Sequence, residues 1–179
     1  MYYFMNKINF KKMLILIFVF ASFYFLACSI TPEYKNIGDV ITLENCEITI
    51  DKVELLDSIE YVTPQDGNVF IAIKFNYKNI GDETLEYKSL PIIDIQTSEG
   101  TSYTINYDAS NVYALIEQVD YSIMTTALEA DAVRDDAEVY EVSQEDVTNK
   151  EIVIKIDDTN NYIKLEDLAQ SSEETQQNQ

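Results

Sequence analysis

Residues 68–79 read NVFIAIKFNYKN, with apolar side chains at every second position. Side chains alternate between the two faces of an extended strand, so a run with this period buries one face. Polar residues share the opposite face in the second half of the run, at Lys74, Asn76 and Lys78. The apolar set is Val69, Ile71, Ile73, Phe75 and Tyr77. The stretch therefore predicts a central strand of a β domain.

Weaker runs of the same kind lie on both sides of this strand. Residues 150–157 read KEIVIKID and predict a second core strand. In Cys46–Leu55 the apolar phase slips near Asp51–Val53, which predicts a β-bulge. The other candidate strands are Val40–Leu43, Leu85–Tyr87, Ile92–Ile95, Tyr103–Tyr107, Val139–Val142 and Tyr162–Leu165. Turn residues separate the runs, as in Pro64–Gly67, so the predicted fold class is an all-β, antiparallel β-sandwich.

One segment has a helical period instead. Apolar residues follow the i, i+3, i+4, i+7 spacing from residue 112, and Asn111 directly before them is a typical N-cap. The four residues are Val112, Leu115, Ile116 and Val119. The pattern predicts one short helix that connects the two sheets.

The N-terminus has three zones. Lys7, Lys11 and Lys12 come first, an uncharged apolar run begins at Met13, and Cys28 ends the run, which is the layout of a secretory signal. As a helix, residues 13–27 would span roughly 22 Å at ~1.5 Å per residue, less than the ~30 Å hydrocarbon core. The uncharged run extends further, up to residue 32, so a retained membrane helix stays open as an alternative.

The junction after the apolar run favours cleavage. Phe25-Leu26-Ala27-Cys28 resembles the lipobox of bacterial lipoproteins, in which a small residue precedes a cysteine that receives diacylglycerol. Phe25 stands where that pattern has an aliphatic residue. The resemblance implies cleavage before Cys28 and lipidation of its sulfur. Two or three acyl chains would then anchor the chain stably on the outside of the cell membrane.

These patterns predict four regions. Residues 1–27 are the signal peptide, residues 28–37 the lipidated cysteine and its tether, and residues 38–168 the β-sandwich. Residues 169–179 form a polar tail whose lack of apolar side chains predicts disorder.

Charge excludes some partners. After residue 27 the chain carries 9 basic and 32 acidic residues, a net charge of −23. Nucleic acid binding needs clustered Lys and Arg to neutralise phosphates, and no basic stretch follows Lys12. Anionic lipid headgroups are excluded for the same reason. The partners that remain are the membrane, through the lipid anchor, and a protein or cell-wall component.

The inventory of reactive side chains is short. The chain has no histidine, which excludes Ser/His and Cys/His catalysis, and we expect no cofactor. Cys46 lies in a run with apolar residues at every second position, so we expect it to be a small, buried hydrophobic side chain. Oxygen ligands alone remain for a metal, and the weak Ca²⁺ candidates are Asp131, Asp135, Asp136, Glu138 and the loop pair Asp157 and Asp158. A solvated acidic loop is the simpler interpretation of both groups.

Several motifs together resemble a known domain family. They are Ile37-Gly38-Asp39, Ile48-Thr49-Ile50, Gly67-Asn68-Val69-Phe70, Asn79-Ile80-Gly81-Asp82-Glu83 and Val139-Tyr140-Glu141-Val142. In this respect residues 36–165 are similar to the telokin-like, immunoglobulin-like domain of Gram-positive secreted and lipid-anchored proteins. Residues 130–137 (ADAVRDDA) depart from the Pro- and Gly-containing pattern of that family. The resemblance implies an immunoglobulin-like sandwich and supplies no catalytic residues.

The function we expect is a membrane-tethered, noncatalytic binding or structural module, and not an enzyme. Two alternatives from other classes stay open. One is an extracellular adhesion-type domain stabilised by Ca²⁺ at the acidic loop. The other is a hydrolase that cleaves wall polysaccharide with two facing carboxylates.

Overall fold

Eight strands form two four-stranded sheets in the part of the chain that the computed structural model describes, which is residues 32–119, 126–149, 152–157 and 159–165. The strands are β1 (Glu33–Lys35), β2 (Val40–Thr42), β3 (Cys46–Leu56), β4 (Asn68–Asn79), β5 (Ile93–Thr97), β6 (Val133–Ser143), β7 (Ile152–Ile156) and β8 (Asn161–Lys164). The helices are α1 (Tyr107–Ile116) and α2 (Gln144–Thr148), with a 3₁₀ turn at Tyr87–Ser89. The predicted signal peptide, the lipobox, Cys28 and the polar tail lie outside the described residues.

The strand order explains how the two sheets are connected. The first sheet has the order β2-β3-β4-β6 and is antiparallel throughout. The second sheet has the order β1-β8-β7-β5 and contains one parallel pair, β1 with β8. In sheet order and chain order, β5, β7 and β8 correspond to strands C, F and G of the immunoglobulin fold, with β4 and β6 adjacent as B and E are. The β-sandwich prediction is confirmed, apart from that parallel pair.

The strongest sequence patterns correspond to observed strands. β4 has the predicted bounds and pairs along its length with β3 and β6. The register of β3 against β4 shifts between Ile50 and Lys52, which confirms the predicted bulge. Because the bulge inserts one residue, Val53 returns to the buried face that Ile50 occupies.

Three predictions on strands need correction. Leu85 makes one isolated bridge to Leu128 and is not part of a strand. The segment 103–107 contributes a single bridge, from Ile105 to Tyr140, before α1 begins. β1 lies inside the predicted tether, because its backbone pairs with β8, and so the sandwich includes residues before 38.

A continuous core fills the space between the sheets. It consists mainly of Ile side chains from β3, β4, β5 and β7, with Phe75 and Tyr77 at one end. A second apolar cluster lies on the other face of the first sheet, where Phe70, Ala72 and Val139 are buried beneath α1. The first half of β4 is therefore buried on both faces, which explains its continuous apolar sequence.

Helix α1 starts earlier and buries a different face than predicted. Its N-cap is Asn106, whose side chain accepts a hydrogen bond from Ala109 N at 3.0 Å. The buried residues are Ala109, Ser110, Tyr113 and Ala114. Leu115 is 74% exposed, so the apolar period that suggested the helix does not mark its contact face. The sheet below presents Ala72 and Ala137, which leave room for a large Tyr113 ring.

An ion-pair network holds the end of α1 on the sheet. Glu117 Oε1 lies 2.8 Å from Lys52 Nζ, and its Oε2 lies 3.4 Å from Lys74 Nζ. Lys74 Nζ also donates to the Glu117 backbone oxygen at 3.2 Å. These two ammonium groups lower the pKa of Glu117. Their positive charges offset the unfavourable effect of an acidic residue at the negative end of the helix dipole.

Candidate functional site

The weak candidates for Ca²⁺ ligands do not come together. Asp131 is an exposed turn residue, and Asp135 is exposed on the outer face of β6. Asp136 and Glu138 point to the inner face, because side chains alternate along a strand. Among the described residues, no group of three or more acidic, Cys or His side chains is placed to hold a metal ion. Asp157 directly follows β7 and is exposed, and Asp158 lies outside the described residues.

β6 instead carries a row of ionisable residues on the inner face of the sandwich. Arg134, Asp136 and Glu138 lie opposite Tyr77, Phe75 and Ile73 of β4. Arg134 and Asp136 are each 3% exposed. The inner face of β6 is therefore polar over this stretch. We call Arg134, Asp136 and Glu138 the inner-face row.

Burial changes the protonation of the two acids in this row. Loss of hydration raises the pKa of Asp136 to about 6 and that of Glu138 to about 7, and the neighbouring Asp136 charge contributes to the second shift. Tyr140 Oη lies 2.6 Å from Ile93 O and 2.7 Å from Glu138 Oε2. The single hydroxyl proton of Tyr140 can satisfy only one acceptor. A protonated Glu138 can donate to Tyr140 Oη while Tyr140 donates to Ile93 O.

The contacts around the inner-face row connect the two sheets. Tyr77 Oη donates to Pro91 O at 2.7 Å, and Tyr140 donates to Ile93 O, at the entry to β5. Asp136 Oδ1 accepts from Ala137 N at 2.7 Å. Because β6 is an edge strand, this bond occupies a backbone donor that another chain could otherwise pair with. The inner-face row thus belongs to the region where hydrogen bonds join the two sheets.

Cys46 is buried, as predicted, and is a free cysteine. Burial raises the pKa of its thiol to about 11. The sulfur therefore stays protonated near neutral pH and is a poor nucleophile.

An open polar cleft lies at one end of the sandwich and has a volume of about 420 Å³. Three segments line it: the β3–β4 turn with Gln65 and Asn68, the stretch Ser102–Asn106 before α1, and the end of β6 with Glu141 and Ser143. Loops at the ends of a β-sandwich are common binding surfaces. We call this surface the polar cleft.

Glu141 joins the three segments of the polar cleft. Its Oε1 accepts from Gln65 N at 2.8 Å and from Asn68 Nδ2 at 2.9 Å, and its Oε2 accepts from Asn106 Nδ2 at 3.2 Å. These donors lower the pKa of Glu141 against the opposing effect of burial, so the carboxylate stays ionised. The pattern assigns the amide orientations of both asparagines.

The ends of the polar cleft are held by further hydrogen bonds. Tyr103 Oη donates to Asp146 in α2. Ser143 Oγ caps α2 by accepting from Glu145 N at 3.2 Å. Asn106 N donates to Val139 O at 2.8 Å, which ties the segment before α1 to β6. These bonds fix the backbone that surrounds the cleft.

Tyrosine side chains outside the strands do not share one environment. Tyr61 and Tyr107 are exposed, Tyr113 is buried under α1, and Tyr103 is half-buried beside the polar cleft. Sequence reasoning identified the turn before Asn68 but did not identify Glu141, whose partners lie 35 to 76 residues away.

By fold and site the protein is a two-sheet β-sandwich domain with a polar cleft at one end. The chain belongs to DUF4352, a family described as a domain of unknown function, which matches residues 35–159. The uncharacterized protein YxkC of Bacillus subtilis (strain 168) is 30% identical over 119 residues. That match covers 64% of this chain and 66% of the relative, just under two thirds of its length.

Two solved structures have a similar fold. A conserved hypothetical protein from Bacillus anthracis has a TM-score of 0.58 at 19% identity, covering 72% of this chain and 93% of the other. An uncharacterized beta-sandwich protein from Clostridium difficile 630 has a TM-score of 0.50 at 18% identity, covering 75% and 96%. At these identities the likeness concerns the fold alone.

None of the helices in the described residues is long and apolar enough to cross a bilayer.

Proposed function

We propose that the chain is a lipid-anchored, extracytoplasmic protein that displays a noncatalytic binding domain. The observation that carries the proposal is the sequence order of basic residues, apolar run and Phe25-Leu26-Ala27-Cys28. The relative from Bacillus subtilis supports a Gram-positive setting. Diacylglycerol on Cys28 would replace the leader as the attachment to the bilayer.

Binding, rather than catalysis, fits the polar cleft. The described residues that line it include one carboxylate, Glu141, and its two oxygens accept three hydrogen bonds from neighbouring segments. Hydrolysis by two carboxylates needs a facing pair that is open to substrate. Asp136 and Glu138 are on one face, but that face is turned toward the second sheet, and there Asp136 is buried and Glu138 half-buried. Neither place suits a glycosidic bond.

Substitution of Cys28 tests the anchor. The wild-type chain should incorporate an alkyne-labelled fatty acid in cells and fractionate with membranes, and C28A should lose both properties. C46A is the matched control, because the buried Cys46 is not the proposed lipid acceptor, and it should keep the label. A label that persists in C28A, or a wild-type mass that retains Met1 and an unmodified thiol, would refute the anchor.

A further inference from the structure

We propose that the polar cleft binds a neutral carbohydrate, with Thr104, Gln65 and Asn68 as hydrogen-bonding residues. This inference rests on the proposed binding function and deepens it by naming the site and the class of ligand.

The charge of the polar cleft selects against other ligands. No Lys or Arg is found among the described residues that line it, so phosphates and other anions meet no counter-charge there. Its carboxylate, Glu141, is already bonded to three donors and does not require a cation. Most of the remaining lining residues carry hydroxyls or amides, and Ile105 and the ring of Tyr103 add apolar surface. A ligand with many uncharged hydroxyl groups matches that set.

Several of these groups keep hydrogen-bonding capacity. Within the described residues, the Thr104 hydroxyl and the Gln65 side-chain amide make no hydrogen bond, and Asn68 uses only its Nδ2. Together they offer donors and acceptors side by side, and each sugar hydroxyl can both donate and accept. Glu141 fixes the Asn68 amide, so less side-chain entropy is lost on binding.

An added peptide strand fits the polar cleft less well than a sugar. Strand addition needs unpaired backbone groups along an edge. In the segment Ser102–Asn106, Tyr103 N donates to Ile95 O at 2.7 Å and Asn106 N donates to Val139 O at 2.8 Å. Recognition here must therefore depend mainly on side chains. The volume of about 420 Å³ is within the range of small-ligand sites.

Calorimetry on the detergent-solubilised full chain tests the proposal, with chitotetraose and cellotetraose as neutral probes. At least one should bind, and the double variant Q65A/T104V should bind it about tenfold more weakly, because each lost hydrogen bond weakens binding by a few-fold. T42V is the matched control, since Thr42 is exposed on β2 away from the cleft, and its affinity should equal that of wild type. Circular dichroism of each variant verifies folding.

Three results would overturn the proposal: neither saccharide binds, Q65A/T104V binds as tightly as wild type, or a glycerol phosphate polymer binds in place of the neutral probes. The mass of the same sample reports whether Cys28 is lipidated. A chain with an unmodified thiol that binds chitotetraose through Thr104 would contradict the anchor and leave the carbohydrate site supported. The opposite combination would contradict the carbohydrate site alone.

Discussion

Asp136 and Glu138 hold protons in the folded chain that the unfolded chain releases near pH 4. Between the unfolded and folded pKa values the native state binds more protons, so stability falls as pH rises. The stability that the protonated carboxyl groups contribute to the folded state is complete below about pH 4, and it is lost as the pH rises through about 7. Arg134 lies on the same inner face, and its guanidinium opposes the effect of burial by favouring the ionised form of Asp136.

Glu138 to Gln isolates this effect. We expect E138Q to match the wild type in stability near pH 5 and to exceed it near pH 8 by on the order of 2–3 kcal/mol, because a neutral amide avoids the buried charge. Urea unfolding at both pH values measures the difference. D135N, which removes a carboxylate from the exposed face of the same strand, is the control. Equal slopes in E138Q and wild type would contradict the raised pKa.

Ser110 has a structural role that its residue type conceals. Its Oγ accepts from Val139 N at 2.9 Å and donates to Asn106 O at 2.8 Å, and the residue is fully buried. S110A would leave a buried backbone donor of edge strand β6 without an acceptor. We expect the free energy of unfolding in urea to fall by about 1–3 kcal/mol, with an unchanged dependence on urea concentration. S102A, which removes an exposed hydroxyl, should stay within about 0.5 kcal/mol; a similar loss in both variants would contradict this role of Ser110.

At the scale of elements, the period of two predicted most of the strands, and the helical spacing predicted a helix that connects the two sheets but neither its start nor its buried face. β4 and the β3 bulge were predictable because burial of one face imposes a period of two. The start and face of α1 depended on what lies beneath it, namely Ala72 and Ala137, which admit Tyr113. Local sequence carries no record of that partner surface. Val112 to Val119 is apolar at helical spacing, yet Leu115 faces solvent.

The polar cleft shows the same limit. The turn Pro64–Gly67 was predicted, and Gly67 has the positive φ of +87° that favours glycine. Glu141 was predicted only as part of a strand. Its role follows from hydrogen bonds to Gln65 and Asn106, which only the folded chain brings to it.

Substitutions of Tyr113 and Leu115 test which face of α1 packs on the first sheet. Y113A should cost about 3–5 kcal/mol, because it removes a buried ring and its 2.7 Å bond to Glu54 Oε2. L115A should change stability by no more than about 0.5 kcal/mol, although leucine is the more apolar residue. Urea unfolding gives both values, and amide exchange along α1 shows whether Y113A frees the helix. A larger loss for L115A than for Y113A would mean that α1 packs by the face that its apolar spacing suggests.

At the scale of the whole molecule, charge repulsion opposes folding. The chain has a net charge of −20, and folding concentrates that charge. The ion pairs in the described region mostly involve side chains with access to solvent, and such pairs contribute at most about 1 kcal/mol each. Salt weakens attraction and repulsion alike, so its net effect shows which of the two is larger.

Because acidic residues far outnumber basic ones, we expect salt to stabilise the fold. Raising NaCl from about 0.02 M to about 0.5 M shortens the Debye length from roughly 20 Å to about 4 Å, and the unfolding midpoint should rise by about 3–6 °C. Scanning calorimetry at pH 8, where the inner-face carboxylates add to the repulsion, measures the shift. Tetramethylammonium chloride is the control, because it screens equally with a cation that suits no carboxylate site. A rise of the midpoint in NaCl alone would indicate binding of Na⁺. A fall of the midpoint in both salts would mean that attraction within the Lys52, Lys74 and Glu117 network outweighs the repulsion between the acidic residues.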